Sequence, residues 1–312
     1  MKKARIILAI LCMATVFGGY QYYEKKQTDI DTEGPVLKAS EEEIKVSIKA
    51  TEEELKKGIT ARDEKDGDVT DSIVIESIEK SAKGENNSFL ITYVAFDNSS
   101  NIGRLTRKLT YSDYRKAHFS ISSPLRFPEN QQLSLFDYIE AEDCIDGDVT
   151  PFITLEGDES LLGGEPKAGL YDCTINVTNS IGDKTSLPVQ VEIYADSYEE
   201  RSLRPSITLK ENLIYLKKGE AFDPNAYLDY VNDGGVCRID YGPMVSVFEN
   251  NEWKDVTEQI ANGSDLGWVN ISQIGINSNV DTNTPGTYNV VYTYTAPKTG
   301  YDCTAHLMVV IE

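Results

Sequence analysis

The chain has 312 residues and a formal net charge of −21, with 51 acidic residues against 30 Lys and Arg. The first 26 positions hold five Lys/Arg and one Glu, so the remainder carries −21 − 4 = −25. So acidic a body repels nucleic-acid phosphate and has no basic stripe to overcome that repulsion, and 40% hydrophobic residues are enough for packed cores, which argues against general disorder.

In chain order, Lys2, Lys3 and Arg5 precede an apolar run from Ile6 to Phe17 that continues weakly through Tyr23. Basic residues followed by a short apolar core read as an export signal. Counted to Tyr23, the run is also long enough to remain as a membrane anchor with its basic end inside and Tyr20, Tyr22 and Tyr23 at the outer interface. We expect residues 1–26 to form this hydrophobic helix, with cleavage as the alternative and lipidation at Cys12 disfavoured by the bulky Leu11 before it. Each reading places the body outside the cytoplasm.

Residues 27–33 form a polar tether. Beyond it, Ile44-Lys45-Val46-Ser47-Ile48 alternates as a half-buried strand, and Glu52 to Gly58 has the makings of one helical turn stopped by glycine. Phe89, Ile91, Tyr93 and Ala95 then share one face of a strand, and Leu105–Tyr111 closes the first module, 34–112. A second module, 118–195, places Tyr171, Cys173, Ile175 and Val177 inward. After a linker at 196–202, a third module, 203–312, ends on strands carrying Tyr288, Val290, Tyr292 and Tyr294 and then Cys303, Ala305, Leu307, Val309 and Ile311. The third module has an insertion at about 241–284 that holds both tryptophans.

A repeat underlies this division. Asp66-Gly67-Asp68-Val69-Thr70 returns as Asp146-Gly147-Asp148-Val149-Thr150 and, worn, as Asp233-Gly234-Gly235-Val236. Each copy precedes a strand opened by an aromatic residue, and 8 positions separate Phe89 from Asp97, Tyr171 from Asn179 and Tyr288 from Ala296. Short alternating strands between regular turns predict an all-β chain of three tandem antiparallel β-sandwiches after the N-terminal hydrophobic helix.

Three features together resemble the bacterial Ig-like modules of surface proteins, the kind named for pesticidal-crystal-protein Ig-like domains. They are the opening Asp31-Thr32 to Pro35-Val36-Leu37 echoed at Pro205–Leu209, the Asp-Gly-Asp-Val-Thr turn, and Thr284-Pro285-Gly286-Thr287-Tyr288 echoed at Ala168–Tyr171. The resemblance covers roughly residues 31–312 and implies an Ig-like fold and a cell-surface setting, with no single activity.

Clustered carboxylates around the turn, Asp63, Asp66 and Asp68 and again Asp143, Asp146 and Asp148, are the ligand type calcium takes. Their order is not that of an EF-hand, and turn chemistry accounts for them without a cation: Asp accepts local N–H groups and Gly supplies positive φ. The expectation is therefore a turn and no cofactor, with calcium as the alternative. Tyr171 and Tyr288 stand where a tyrosine corner would bond back to the main chain. The cysteines pair off by module, Cys144 with Cys173 and Cys237 with Cys303, as bridges or as small buried hydrophobes. In the insertion, Tyr241, Phe248, Trp253 and Trp268 lie among Asn and Gly, as aromatics do on loops that stack on sugars or anchor partners, the plainer alternative being that one or both tryptophans fill an enlarged core. Motifs for nucleophilic, metal-hydrolase or phosphate chemistry do not occur in the sequence.

These observations lead to the expectation of a non-catalytic, membrane-anchored bacterial cell-surface protein for display or adhesion. Its distal module would meet a protein or glycan; a carbohydrate-binding module protein and a calcium-dependent adhesin are the alternatives, secretion after cleavage the alternative location, and a polysaccharide-active enzyme or its accessory the more distant reading.

Overall fold

Alternation of apolar and polar side chains makes strands that must bury one face, and this sequence repeats that solution along its length. The computed structural model describes residues 13, 15–22, 31–82, 87–240, 246–255 and 267–312. Two compact units result, Met1–Arg115 and Lys116–Glu312, and each is taken by itself. Among the described residues no helix is long and apolar enough to cross a membrane; of the apolar run proposed as an anchor, only residues 13 and 15–22 are described, and they are helical.

In the first unit, strand β1 (Val36–Ala39) pairs with β3 (Ile59–Asp63), which pairs with the short β4 (Gly67–Asp68). The facing sheet has the order β2 (Glu43–Val46), β7 (Ile102–Tyr111), β6 (Ser88–Phe96), β5 (Val74–Lys80). The chain thus changes sheets between β1 and β2, and β2 runs parallel to the last strand, Glu43 opposite Lys108 and Val46 opposite Tyr111. The inward residues of β6 meet expectation: Phe89, Ile91, Tyr93 and Ala95 are all fully buried. The helical turn Glu52–Lys56 forms with a capping box between Thr51 and Glu54, and Gly58 follows at φ +76°. The Leu55 carbonyl accepts from the Tyr93 hydroxyl at 2.6 Å and from buried Arg107 at 2.6 Å, which ties the turn to the sheet.

The second unit contains two further sheet pairs of the same plan. One joins β8 (His118–Ile121), β11 (Ile139–Asp143) and β12 (Gly147–Asp148) against a sheet ordered β13 (Thr154–Glu156), β15 (Gly169–Thr178), β16 (Lys184–Tyr194), β9 (Arg126–Pro128), with the small pair β10 (Leu133–Ser134) and β14 (Leu162–Gly164). Pro188 sits within β16 opposite Thr174, and β9 pairs with this strand only at Glu192–Tyr194, so β16 is an edge at the point where the proline lies, the place in a sheet that tolerates one.

The other pair sets β17 (Ser206–Leu209), β19 (Leu228–Asn232), β20 (Val236–Asp240) and β23 (Trp268–Asn270) against β18 (Leu213–Leu216), β26 (Asp302–Ile311), β25 (Gly286–Thr295) and β24 (Ile274–Ser278). A separate hairpin, β21 (Ser246–Glu249) and β22 (Glu252–Asp255), carries part of the insertion. Val290, Tyr292, Leu307 and Val309 are fully buried at its centre.

These two sandwiches share a packed joint. Tyr215 of β18 stacks on His118, 3.9 Å between centroids and 8° between planes, while its hydroxyl accepts from the Phe119 N–H at 2.8 Å. His118 also meets Glu312 at 2.9 Å, and Asn212 donates to the Ile121 carbonyl at 3.2 Å. Leu213 belongs to the core of the preceding sandwich, with Met308 and Val310 packed against it. Enclosure in this joint pushes the Tyr215 hydroxyl up to about 12.

Candidate functional site

The repeated turns come first, since their residues were singled out by the sequence. In the first copy, Asp63 ends β3, and its Oδ1 accepts the N–H groups of Lys65 (2.8 Å) and Asp66 (2.9 Å). Gly67 then takes φ +79°, the left-handed region that favours glycine. Asp68 Oδ1 accepts the Thr70 N–H at 3.0 Å, and the Thr70 hydroxyl accepts from Ala61 N–H at 3.1 Å. The second copy repeats each bond: Asp143 with Ile145 and Asp146, Asp148 with Thr150, Thr150 with Ala141. Turn chemistry is therefore present in both, as read from residue types. Backbone donors, that of Asp66 foremost, hold the Asp63 carboxyl below the ordinary range against the opposing cost of burial.

Asp68 and Asp148 point their bonds into the turn, whereas two residues far away in sequence join Asp63 and Asp66. One carboxylate oxygen each from Asp31, Asp63, Asp66 and Asp97 lies within 4.8 Å of the others. The lead segment reaches the turn because it lies on the backbone of β7: a Cβ at Gly103 would collide with the Pro35 carbonyl, and one at Gly34 with the Ile102 carbonyl, at 2.5 Å. Asn98 clasps Asp66 with its N–H and its amide, each at 2.8 Å. Asn101 holds Asp97 in the same fashion, at 2.8 and 2.7 Å, and reaches the Asp31 carbonyl at 3.2 Å. The residue types could have suggested Asp97, which stands at the fixed 8-position spacing from Phe89; Asp31 belongs to the module-opening pattern, which does not connect it to the turn.

In the second copy Asn179 occupies the position of Asp97, and its amide donates to Asp143 Oδ2 at 3.1 Å. Ser180 clasps Asp146 as Asn98 clasps Asp66, at 2.6 Å from both N–H and hydroxyl. In the third copy Ala296 takes that position, fully buried, and Asp233 accepts the Tyr294 hydroxyl at 3.1 Å.

The tyrosine corners close locally: Tyr171 donates to the Lys167 carbonyl at 2.7 Å and Tyr288 to that of Thr284 at 2.8 Å. Phe89 fills the matching space edge-on to Tyr114, 5.0 Å between centroids. Of the two alternatives for the cysteines, bridges are not formed, since Cys173, Cys237 and Cys303 are buried free thiols. Cys144 follows Asp143, which bonds Asn179, and Cys173 lies six residues back along that strand. At about 3.3 Å per residue that is roughly 20 Å, far beyond the Cα separation of about 7 Å a bridge tolerates. Cys237 donates its S–H to the Gly235 carbonyl at 3.3 Å. Burial pushes the Cys173 thiol up to about 11 and that of Cys303 to about 12, so both stay protonated.

Of the insertion aromatics, Tyr241 lies outside the described residues. Phe248 and Trp253 occupy paired positions of the β21–β22 hairpin. Trp268 is half-buried on β23, with the Arg238 guanidinium 6.0 Å from its ring.

A groove that sequence reasoning missed opens between the two sandwiches of the second unit, with a volume of about 690 Å³. Its wall joins Leu170 and Gln190 of one sandwich to Asn212, Tyr288, Asn289 and His306 of the other. Leu170 is 67% exposed, an aliphatic side chain held in solvent. The amide oxygens of Asn212 and Asn289 are both buried with no hydrogen-bond donor. Nothing local in the sequence signals the groove, because its residues come from strands that meet only when the sandwiches pack.

No protein-family model matches the chain. Over 116 residues it is 29% identical to an uncharacterized 81.3 kDa protein of Acholeplasma phage L2, a match covering 36% of this chain and 16% of that protein. Among solved structures, it is similar to a Clostridium perfringens ZmpB fragment containing CBM51-2 in complex with GlcNAc, at 18% identity and a TM-score of 0.20 over 49% of this chain and 26% of that one. It is similar also to the lipoprotein BT2262 from Bacteroides thetaiotaomicron (13% identity, TM-score 0.22, 62% and 98% covered) and to Drosophila N-cadherin EC1-4 (13%, 0.22, 91% and 76%). Scores at this level carry no argument, and the all-β architecture rests on the strands and sheets described above.

Proposed function

We propose that this is a non-catalytic protein of the bacterial cell exterior, its tandem β-sandwiches serving display or adhesion, with recognition at the groove between the second and third. The groove is the observation that carries the reading. Its volume of about 690 Å³ falls within the roughly 300–1,000 Å³ usual for ligand sites. An exposed Leu170, the Tyr288 ring and several amides suit a neutral, hydroxyl-rich ligand, a glycan chain. The net charge of −21 disfavours an anionic ligand at long range. This reading moves recognition from the inserted aromatics to the joint behind them. The N-terminal apolar run supports the exterior setting and, if retained, would anchor the body.

Retention of the full chain on a glycan array and on cell-wall fractions tests this. Leu170→Asp changes an exposed side chain, so folding is preserved; binding should fall by at least about tenfold, the effect of losing one well-packed contact of hot-spot quality. Binding unaffected by Leu170→Asp but lost on changing Trp253 would return recognition to the insertion.

A further inference from the structure

We propose that the first module binds one calcium-class divalent cation through the carboxylates of Asp31, Asp63, Asp66 and Asp97, and that the other two modules have lost this capacity. Oxygen ligands lie about 2.3–2.6 Å from calcium, so two on opposite sides of one ion stand roughly 5 Å apart. The four carboxylate oxygens within 4.8 Å of one another meet that limit.

Clustered acids alone would not carry the assignment. A separate observation does: the Asp31 side chain is only 10% exposed, and its Oδ2 is enclosed without any hydrogen-bond donor. Its other oxygen has only a long contact with the Glu33 N–H, 3.4 Å, and Lys65 at 3.7 Å. A buried carboxylate oxygen left without a donor is costly, and a cation among its neighbours removes that cost.

Comparison with the second module gives the same answer. There the Asn179 amide supplies a donor to Asp143 Oδ2. The corresponding residue of the first module is Asp97, which when ionised can only accept. Asp63 and Asp97 are therefore two acceptors placed where the second module has a donor and an acceptor, an arrangement that favours a cation between them. Asn98 and Asn101 fix Asp66 and Asp97 from behind, so the cluster is positioned in advance of any ion. The third module offers Ala296 and a Tyr294-bonded Asp233 instead. Asp68, the motif residue nearest to hand, is not among the four whose oxygens converge, and its carboxylate bonds Thr70 within the turn. A bound ion would pin the lead segment through Asp31 to the turn.

The full chain in detergent, stripped with EDTA, is titrated with calcium chloride and separately with magnesium chloride by calorimetry, with thermal unfolding in parallel. We expect one site with Kd on the order of 10⁻⁴–10⁻³ M for calcium, the range of extracellular modules, and weaker binding of magnesium, which demands near-ideal octahedral geometry. Calcium should raise the first unfolding transition by several degrees. Asp97→Asn and Asp31→Asn should each weaken binding by at least about tenfold, and Asp68→Asn should leave it unchanged. If Asp97→Asn does not fold, Asp31→Asn, in the segment ahead of the first strand, decides alone. Absence of heat and of any shift at about 10 mM calcium, or binding that survives the Asp31 substitution, overturns the proposal, whatever becomes of the groove.

Discussion

The aspartate turns of the first and second modules have the same backbone and nearly the same hydrogen bonds, yet differ at one facing residue. Asp63 and Asp143 each end a strand, each accept two N–H groups, and each look toward the residue eight positions past a strand aromatic. That residue is Asp97 in one module and Asn179 in the other. Exchange of a carboxylate for an amide puts a hydrogen-bond donor opposite Asp143 without altering the turn. A repeated motif thus specifies a shape, while the chemistry performed there depends on a residue outside the motif.

The largest test of this contrast is Asn179→Asp. It removes the donor to a buried Asp143 and sets two carboxylates face to face, so urea denaturation without calcium should record a loss of about 2–3 kcal/mol in the second unit. The reverse exchange, Asp97→Asn, should act with opposite sign: in chelator it supplies the missing donor and stabilises the first module by about 1 kcal/mol, while calcium ceases to help. A destabilisation in chelator would break the comparison.

The corner aromatics sharpen it further. Tyr171→Phe makes the second module resemble the first, which already has Phe89, and should cost about 0.5–1 kcal/mol because the lost bond to Lys167 is exposed. The smallest effect concerns what the two turns share. Hydrogen bonds from Thr70 and Thr150 hold Asp68 and Asp148 below the ordinary carboxyl value of 3.8. A depressed folded value means stability present above about pH 4 and lost as the pH falls through the folded value. Replacing either Asp by Asn should flatten the acid limb of its own unit slightly and to the same degree.

Much of the fold was legible because alternation is local. The inward faces of β6 and β26 could be assigned residue by residue, and the helical turn before Gly58 followed from its glycine stop. The turn chemistry was legible for the same reason, since Asp, Gly and Thr act within a few residues of themselves. Asp31 was not, because it reaches Asp63 only after the lead segment lies across β7, an approach made by Gly34 and Gly103. For Cys144 and Cys173 the shared module was no guide, because membership of one sandwich says nothing about which end of a strand a residue occupies. Pro188 was informative, since β16 has no second neighbour at that point. The groove depends on how two sandwiches pack, a relation that periodicity within either one does not contain.

The change of sheets after each module's first strand has a mechanical consequence. Because β2, β9 and β18 run parallel to the closing strands β7, β16 and β26, traction applied to the two ends of a module slides these partners past each other along their length. Their backbone bonds then share the load simultaneously instead of unzipping in succession. Under the proposed function, with the chain tethered and a partner held under flow, such a shear clamp in every bead would make rupture begin elsewhere, at the ligand or at the tether.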